Sequence, residues 1–283
     1  MRSARRTTVS VVTAVVVVLA ASACDGPDRR AAPPSTPVQP ASTTPGTPTV
    51  APVPAPAATA PAPSYGPTWG RHRSRTRPVI GNHDHHTPGA AGYFGYFGAA
   101  EVATAGRTSW YSYDLGGWHV VVLDSSCGVV RGGCGAGSPQ ERWLRSDLAV
   151  SSWRTRCTVA MWHHPLFTSG ATHGPATAVR PLFRALYEAG AELVLSGHNH
   201  QYERFAPQDP AGRRDDRRGV RQFVVGTGGA SHYGFGSPAP NSQVRRTGTH
   251  GVLRLALRQG GYDWRFVPVA GQAFTDSGRG TCH

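Results

Sequence analysis

Short runs of valine, isoleucine and leucine, each followed by a polar or glycine-rich turn, recur along the chain after residue 69. Apolar runs of this length are typical of strands that are buried on both faces of a sheet. The pattern predicts four such strands, at residues 77–80, 119–123, 158–162 and 192–195. We therefore expect a sheet with several interior strands.

Two of the connections between these strands have helical spacing. Ser138-Pro139-Gln140-Glu141 is a capping box with proline at the first helical position. Apolar residues at helical spacing follow it, namely Trp143, Leu144 and Leu148. A second helix is indicated by the apolar stripe Val179, Leu182, Phe183, Leu186 and Tyr187, with Gly190 at its end. The alternation of strands and helices predicts an α/β fold.

The last third of the chain changes to strands without helices. Residues 221–225, 252–257 and 262–267 are predicted strands, and the glycines within 259–261 predict a hairpin between the last two. Within this hairpin Tyr262, Trp264 and Phe266 would share one face.

Two glycine-rich segments suggest binding sites at first sight. Residues 92–98 alternate glycine with tyrosine and phenylalanine, and we interpret them as a turn-rich loop packed over the domain rather than an aromatic platform for a sugar or base. Residues 226–229 lack the lysine of a phosphate-binding loop, which favours a tight structural turn.

The amino end has the features of an export signal. Three arginines, Arg2, Arg5 and Arg6, precede an apolar run at residues 9–23, which is short for a membrane span. Small residues then lead to Cys24, as in a bacterial lipobox, so we expect residues 1–24 to be a signal peptide and Cys24 to be lipidated. The alternative is an ordinary signal peptidase site and a secreted protein. Either way, the domain would lie outside the cytoplasm.

Residues 25–68 are rich in proline, alanine and threonine, and 12 of the chain's 24 prolines fall within residues 31–68. Such a composition cannot bury enough apolar surface to offset the chain entropy lost on folding. We predict a disordered linker here and place the folded domain at residues 69–283.

The charge is strongly positive, with a formal net charge of +13, and every one of the 29 basic residues is arginine. This excess attracts anionic ligands. The arginines are scattered through turns, however, and they form no basic stripe with interleaved aromatic residues. We therefore expect no nucleic-acid partner. We also expect the protein to be a monomer.

Four cysteines lie in the predicted domain: Cys127, Cys134, Cys157 and Cys282. In an exported protein an even set of cysteines indicates disulfides, although the sequence alone allows three pairings. We expect Cys127 to pair with Cys134, which closes a small glycine-rich loop, and Cys157 to pair with Cys282, which ties the carboxyl tail to a strand.

Metal-binding residue types follow three of the predicted strands. These turns are Gly-Asn-His-Asp at 81–84, His-His-Pro at 163–165 and Gly-His-Asn-His at 197–200. Ligands of α/β sheets gather beyond the carboxyl ends of the strands, so the three turns are predicted to converge. Histidine nitrogens and asparagine oxygens bind divalent ions. We therefore predict a metal site at this edge.

The three turns, in this order and with Gln-Tyr-Glu-Arg after the last, resemble the final three motifs of the calcineurin-like metallophosphoesterases. The match is closest to the purple acid phosphatase-like branch, and the resemblance covers about residues 66–283. It implies an αββα sandwich, in which two mixed sheets are flanked by helices. It also implies a phosphomonoesterase or phosphodiesterase, in which two metal ions hold a hydroxide that attacks phosphorus in line.

The resemblance assigns roles residue by residue. Asn82, His163 and His198 would bind one ion, and His200 the other. His83 resembles the histidine that contacts the phosphate. His173 is positioned like the histidine that protonates the leaving oxygen, with a solvent-facing loop residue as the alternative. Asp84 would orient His83, or it would accept a backbone hydrogen bond in the turn.

The sequence departs from the family in its first two motifs, which carry an aspartate that bridges the metals and a tyrosine ligand. Before Asn82 the only acids are Asp25 and Asp28, and Tyr65 lies in the linker. We therefore expect the domain to be partial, without its amino-terminal strands, and its centre to hold one ion or none.

Neither Asp114 nor Asp124 is expected to replace the bridging aspartate, since one lies in a predicted hairpin and the other ends an interior strand. The identity of the metal stays open between iron, manganese and zinc. The alternative to an enzyme is a catalytically inactive remnant that acts as a surface binding lipoprotein.

Overall fold

The computed structural model describes residues 66–102 and 108–283, and for residues 99–102 only the backbone. The predicted signal peptide with Cys24, and the predicted linker as far as residue 65, lie outside this range. Among the described helices, none has both the length and the apolar composition that a membrane span needs.

A seven-stranded mixed sheet forms the centre of the described part. Its strands lie in the order β1-β2-β3-β4-β6-β5-β7. The interior strands β2, β3, β4 and β6 are parallel, whereas β1 and β5 each pair antiparallel with their neighbours. The bounds are β1 Tyr111–Leu115, β2 Trp118–Val122, β3 Cys157–Met161, β4 Leu193–Ser196, β5 Tyr202–Phe205, β6 Arg221–Val225 and β7 Ser242–Arg246. The strands predicted at residues 119–123, 158–162, 192–195 and 221–225 are confirmed as β2, β3, β4 and β6.

A smaller antiparallel sheet packs against the large one. It consists of β8 Gly251–Arg258, β9 Gly261–Pro268 and β10 Ser277–Thr281, in the order β10-β9-β8. The predicted hairpin is confirmed, with Leu257 opposite Tyr262 and a positive φ of 81° at Gly260 in the turn. Glycine suits this turn because other residues are strained at positive φ.

The core between the sheets is made of alternating residues from both. Tyr262, Trp264 and Phe266 all face it, as predicted. The ring of Trp118 meets that of Tyr262 edge to face at 5.9 Å, and Phe223 meets Trp264 at 5.6 Å. Burial of each such side chain stabilises the fold by about 1.5–3 kcal/mol.

Two helices cover the opposite face of the large sheet: α2 Pro139–Ser151 and α3 Arg180–Glu188. The predicted cap of α2 is confirmed, because Ser138 Oγ accepts the N–H of Glu141 at 3.2 Å. The Glu141 carboxylate accepts the N–H of Gly137 at 3.0 Å. Helix α3 ends before Gly190, which has φ 74° as expected for a helix C-terminus. The α/β class is confirmed.

The strand predicted at residues 77–80 is not formed. Ile80 is fully buried as expected, but the described residues offer this segment no pairing strand. Pro78 lacks an N–H, and its carbonyl accepts the hydroxyls of Tyr93 at 3.1 Å and Tyr111 at 2.8 Å. Side chains therefore take the place of a neighbouring strand.

The prediction of a loop at residues 92–98 is wrong, because this segment lies in helix α1, Ala91–Val102. It follows three short 3-10 helices, Trp69–Arg75, Asn82–His86 and Pro88–Ala90. Tyr93 and Phe97 lie one helical turn apart with ring centroids at 5.4 Å, and Tyr93 packs with Ile80. This aromatic pair stabilises the helix despite its glycines, although Gly98, at φ 72°, interrupts its regular geometry.

Both predicted disulfides are confirmed. Cys127 pairs with Cys134, and Cys157 pairs with Cys282 across a separation of 125 residues. The second bond joins the start of β3 to the chain after β10. A loop of this length contributes about 4–5 kcal/mol by restricting the unfolded chain.

Candidate metal centre

Two of the predicted metal-binding turns meet beyond the carboxyl ends of β3 and β4. These strands are parallel neighbours, and their pairing continues past their ends, where the N–H of Gly197 donates to the carbonyl of His163 at 2.9 Å. As a result His163 Nε2 and His198 Nδ1 face each other at 3.2 Å. Nitrogens bound to one tetrahedral zinc ion lie about 3.3 Å apart. The separation of the two imidazoles therefore fits a shared ion.

The third turn reaches the same place. A Cβ atom on Gly81 would lie only 3.0 Å from Nδ1 of His163, so the glycine allows the imidazole to pack directly against the backbone. The next residue is Asn82, whose side-chain oxygen Oδ1 is buried and has no hydrogen-bond partner. A buried amide oxygen without a partner is costly unless it binds a cation or solvent. The residues present thus fit a metal ion.

Burial and crowding keep these imidazoles neutral. Burial, and then the neighbouring imidazoles His164 and His198, lower the pKa of His163 far below its ordinary value. Burial, followed by repulsion from His164 and His173, lowers the pKa of His198 to about 3. A neutral imidazole keeps a nitrogen lone pair, which metal ligation requires.

The backbone at His198 is strained, with φ 63° in the left-handed region. This conformation costs a residue other than glycine about 1 kcal/mol or more. Such strain is retained where the surrounding structure imposes it, which is common at functional sites. In this conformation the His198 ring lies 5.0 Å from that of His163.

His200 is held by two contacts. Its Nδ1–H donates to the carbonyl of Ser231 at 2.7 Å, and its ring stacks on Tyr233 with centroids 4.1 Å apart. Burial lowers the pKa of His200, and His200 itself contributes to lowering that of His198. The predicted second ligand therefore lies next to the first cluster.

The three predicted catalytic residues lie around this cluster. The ring of His173 is 4.2 Å from that of His198 and 5.3 Å from that of Tyr233. His83 is exposed and close enough to lower the pKa of His163, although burial contributes more. The carboxylate of Asp84 accepts the N–H of Gly81 at 2.8 Å, and burial raises its pKa. This hydrogen bond is one of the two roles that the sequence offered for Asp84, acceptance of a backbone N–H in the turn. The other role, orientation of His83, stays a prediction.

His164 lies in the cluster although it was given no role from the sequence. One nitrogen from each of His163, His164 and His198 lies within 4.8 Å of the other two. The signal was the second histidine of the His-His-Pro turn. Its neighbour Ser125, which was also missed, has its Oγ 2.9 Å from Nδ1 of His164.

The nearest buried carboxylate is engaged elsewhere. Asp124 is fully buried, and it accepts hydrogen bonds from Ser109 Oγ at 2.7 Å, Ser126 N at 2.8 Å and His85 Nε2 at 3.1 Å. Asp114 pairs with His119 at the opposite end of β2. The three-histidine group therefore includes no carboxylate within the described part of the chain.

Comparisons with known proteins identify the family. Residues 61–202 match the family model of the calcineurin-like phosphoesterases. Purple acid phosphatase 21 of Arabidopsis thaliana is 31% identical over 154 residues, which cover 52% of this chain and 34% of that protein. Purple acid phosphatase 1 of Ipomoea batatas is 30% identical over 154 residues, which cover 48% of this chain and 32% of that protein. The chain thus spans about a third of the length of these curated relatives.

The fold has a solved counterpart in the purple acid phosphatase PPD1 from seeds of yellow lupin, Lupinus luteus. The TM-score is 0.58 at 21% identity, and the match covers 72% of this chain and 38% of the lupin chain. The sequence resemblance to purple acid phosphatases is confirmed. Because the family model matches 142 of the 283 residues, this chain belongs to the calcineurin-like phosphoesterase family.

Proposed function

We propose that this protein is a metal-dependent phosphoric ester hydrolase that acts on phosphomonoesters or phosphodiesters. Its family and its purple acid phosphatase relatives support hydrolysis of phosphate esters. The observation that carries the proposal is the facing pair of nitrogens, His163 Nε2 and His198 Nδ1, at 3.2 Å. The unpaired buried oxygen of Asn82 supports it, because the preceding residue, Gly81, packs against the His163 ring.

His163, His198 and Asn82 would hold one ion, and His200 would contribute to a second. When bound, such an ion lowers the pKa of water and offsets negative charge on the phosphate. The chain's own residues bind and orient the ester. The exposed His83 would donate a hydrogen bond to a phosphate oxygen, and the positive net charge of the chain draws an anionic ester toward the protein.

His173 would protonate the leaving oxygen. Its contact with His198, at 4.2 Å between ring centroids, supports this role because it keeps the imidazole beside the ion-binding pair. Its contact with Tyr233, at 5.3 Å, limits the directions the ring can take. A general acid must lie within hydrogen-bond reach of the leaving group. Because the His173 ring is already restrained on two sides, little further side-chain entropy is lost when it takes that position.

The test is hydrolysis of an aryl phosphate by protein of measured metal content. We expect turnover that depends on added Zn²⁺, Mn²⁺ or Fe²⁺ and that falls at least about 100-fold in His163→Ala. His72→Ala is the matched control, because His72 lies in the first 3-10 helix, outside the site, and its substitution should leave the rate unchanged. Hydrolysis that is independent of metal and of His163 would contradict the proposal.

The second candidate is a surface lipoprotein that binds phosphate esters without turnover. The absence of a carboxylate from the three-histidine group in the described residues favours it, because two dications at neutral pH are ordinarily held by at least one anionic ligand. Metal-loaded protein that binds inorganic phosphate in calorimetry but does not hydrolyse the aryl phosphate would identify this function.

We further propose that the protein is exported and anchored through a lipid on Cys24. The pairing of all four cysteines of the described domain into two disulfides supports an oxidising compartment. Cys24→Ser should abolish labelling by a fatty acid analogue and release the protein from membranes, whereas Ser22→Ala should not. Unchanged membrane retention of Cys24→Ser would contradict the anchor.

A further inference from the structure

His164 has no role in the ligand set above, yet it lies inside the cluster. Its ring centroid is 4.9 Å from that of His163 and 4.3 Å from that of His198. The third pair, His163 and His198, is 5.0 Å apart. All three rings therefore surround one small volume beyond the ends of β3 and β4.

One nitrogen of His164 is fixed by a buried hydroxyl. Nδ1 lies 2.9 Å from Ser125 Oγ, and the same oxygen accepts the backbone N–H of His164 at 2.8 Å. Ser125 is only 4% exposed, so this contact is shielded from solvent. Metal-bound histidines are commonly held in this way, with one ring nitrogen hydrogen-bonded to the protein and the other on the ion.

The distances suit a single ion. The 3.2 Å separation of His163 Nε2 and His198 Nδ1 is that of adjacent ligands, and the third nitrogen lies within 4.8 Å of both. Ion binding would require the His164 nitrogen to close from this distance to the spacing of about 3.3 Å found around tetrahedral zinc. With Asn82 as the further ligand proposed above, the three histidines would complete a four-ligand site, and zinc can take a fifth ligand during a reaction.

We propose that His164 joins His163 and His198 as a third nitrogen ligand, so that this chain binds one divalent ion of the Zn²⁺ type in a three-histidine site. In the described residues this ligand set contains imidazole nitrogens and no carboxylate. Imidazole favours Zn²⁺ and Co²⁺ over Mg²⁺ and Ca²⁺, which prefer oxygen ligands. The inference rests on the metal dependence of the proposed function but not on turnover.

The experiment uses the full chain, stripped of metal and titrated with Co²⁺ in competition with a coloured chelator. We expect one tightly bound ion per chain, with an ion at His200 bound more weakly, and the intense visible spectrum of four-coordinate Co²⁺. His164→Ala should lower the affinity at least about 100-fold, as much as His163→Ala does, and should weaken the spectrum. His250→Ala is the matched control, since this histidine bonds to the Ala230 carbonyl outside the group, and it should bind Co²⁺ as the unaltered protein does.

Two further variants guard against misfolding and test the role of Ser125. His164→Gln keeps a polar side chain of similar size, and its metal-free form should unfold at the same temperature as the unaltered protein while its Co²⁺ affinity still falls. Ser125→Ala should lower the affinity about 10-fold, because the His164 ring then loses its orientation.

Two results would overturn the inference. One is a His164→Gln variant that binds Co²⁺ within about threefold of the unaltered protein while His163→Ala does not. The other is a Co²⁺ spectrum that keeps its full intensity in His164→Gln. If metal binding depends on His164 but no phosphate ester is hydrolysed, the proposed function fails and the three-histidine site stands.

Discussion

Buried histidines at the two ends of the large sheet have opposite electrostatic environments. His119, on β2, is 1% exposed and lies between two carboxylates, with Nδ1 2.8 Å from Asp114 and Nε2 2.8 Å from Asp147. Carboxylates at neutral pH only accept hydrogen bonds, so both ring nitrogens must carry protons and the ring is charged. Burial alone would lower the pKa of His119, but the hydrogen bonds and charges of Asp147 and Asp114 outweigh it and raise the pKa.

The histidines beyond β3 and β4 have one another as neighbours instead. Burial and the adjacent imidazoles lower the pKa values of His163 and His198, so their rings are neutral and keep lone pairs. The same residue type is therefore a structural cation at one end of the sheet and a potential metal ligand at the other. The partners, rather than burial itself, decide between these roles.

The largest expected effect is a loss of metal affinity without a matching loss of folding stability. His198→Asn should lower the Co²⁺ affinity at least about 100-fold but change the unfolding free energy by less than about 1 kcal/mol, because asparagine tolerates the positive φ at this position. His119→Gln should leave the affinity unchanged. Chelator competition and urea unfolding of the metal-free proteins measure the two quantities. Loss of metal binding in His119→Gln would remove the contrast between the two ends.

The next effect concerns stability alone. His119→Leu should lower the unfolding free energy by about 2 kcal/mol, because it leaves Asp114 and Asp147 without their shared cation. The loss is smaller than for a fully buried pair, since these side chains are 39% and 18% exposed. Urea unfolding measures it. Asp147→Asn is the control, since it keeps a hydrogen-bond acceptor and should lose less than His119→Leu.

The pH dependence of that stability tests the charge on His119. The folded protein holds this proton more tightly than the unfolded chain, in which the pKa is about 6.5. The stability that charged His119 contributes is therefore fully present below that pH. It is lost as the pH rises through the raised pKa of His119 in the folded protein. The difference in unfolding free energy between the protein and His119→Leu should be larger at about pH 6 than at about pH 9. A constant difference would show that His119 is not the charged partner.

The sequence predicted the local elements better than their environments. Strands β2, β3, β4 and β6, the cap at Ser138 and the Cys127–Cys134 disulfide follow from patterns within short segments. The Cys157–Cys282 disulfide spans 125 residues, and its prediction depended on the even number of cysteines in the domain. The convergence of His163 and His198 followed from the rule that parallel strands gather ligands at their carboxyl ends.

The features that were missed depend on contacts between distant segments. His119 pairs with Asp147, 28 residues further along the chain, and His164 with Ser125, 39 residues before it. No periodicity within a segment reports such pairs. The segment at 77–80 was predicted wrongly for the same reason, since the hydroxyls of Tyr93 and Tyr111 satisfy the Pro78 carbonyl. The segment at 92–98 was predicted wrongly for a local reason, because its glycines were given more weight than the aromatic pair Tyr93 and Phe97.

The smallest effect tests how closely the backbone positions the metal-binding end. Gly81 has extended backbone angles that alanine also adopts, so Gly81→Ala changes only the contact with the His163 ring, which the new Cβ would meet at 3.0 Å. The ring must shift by a few tenths of an ångström, and we expect the Co²⁺ affinity to fall about 10-fold. Gly92→Ala, where nothing lies within 4 Å of the added Cβ, should leave the affinity unchanged. Equal affinities in all three proteins would show that the His163 ring can shift without loss of metal binding. The metal-binding end of the sheet would then tolerate small displacements of its histidines.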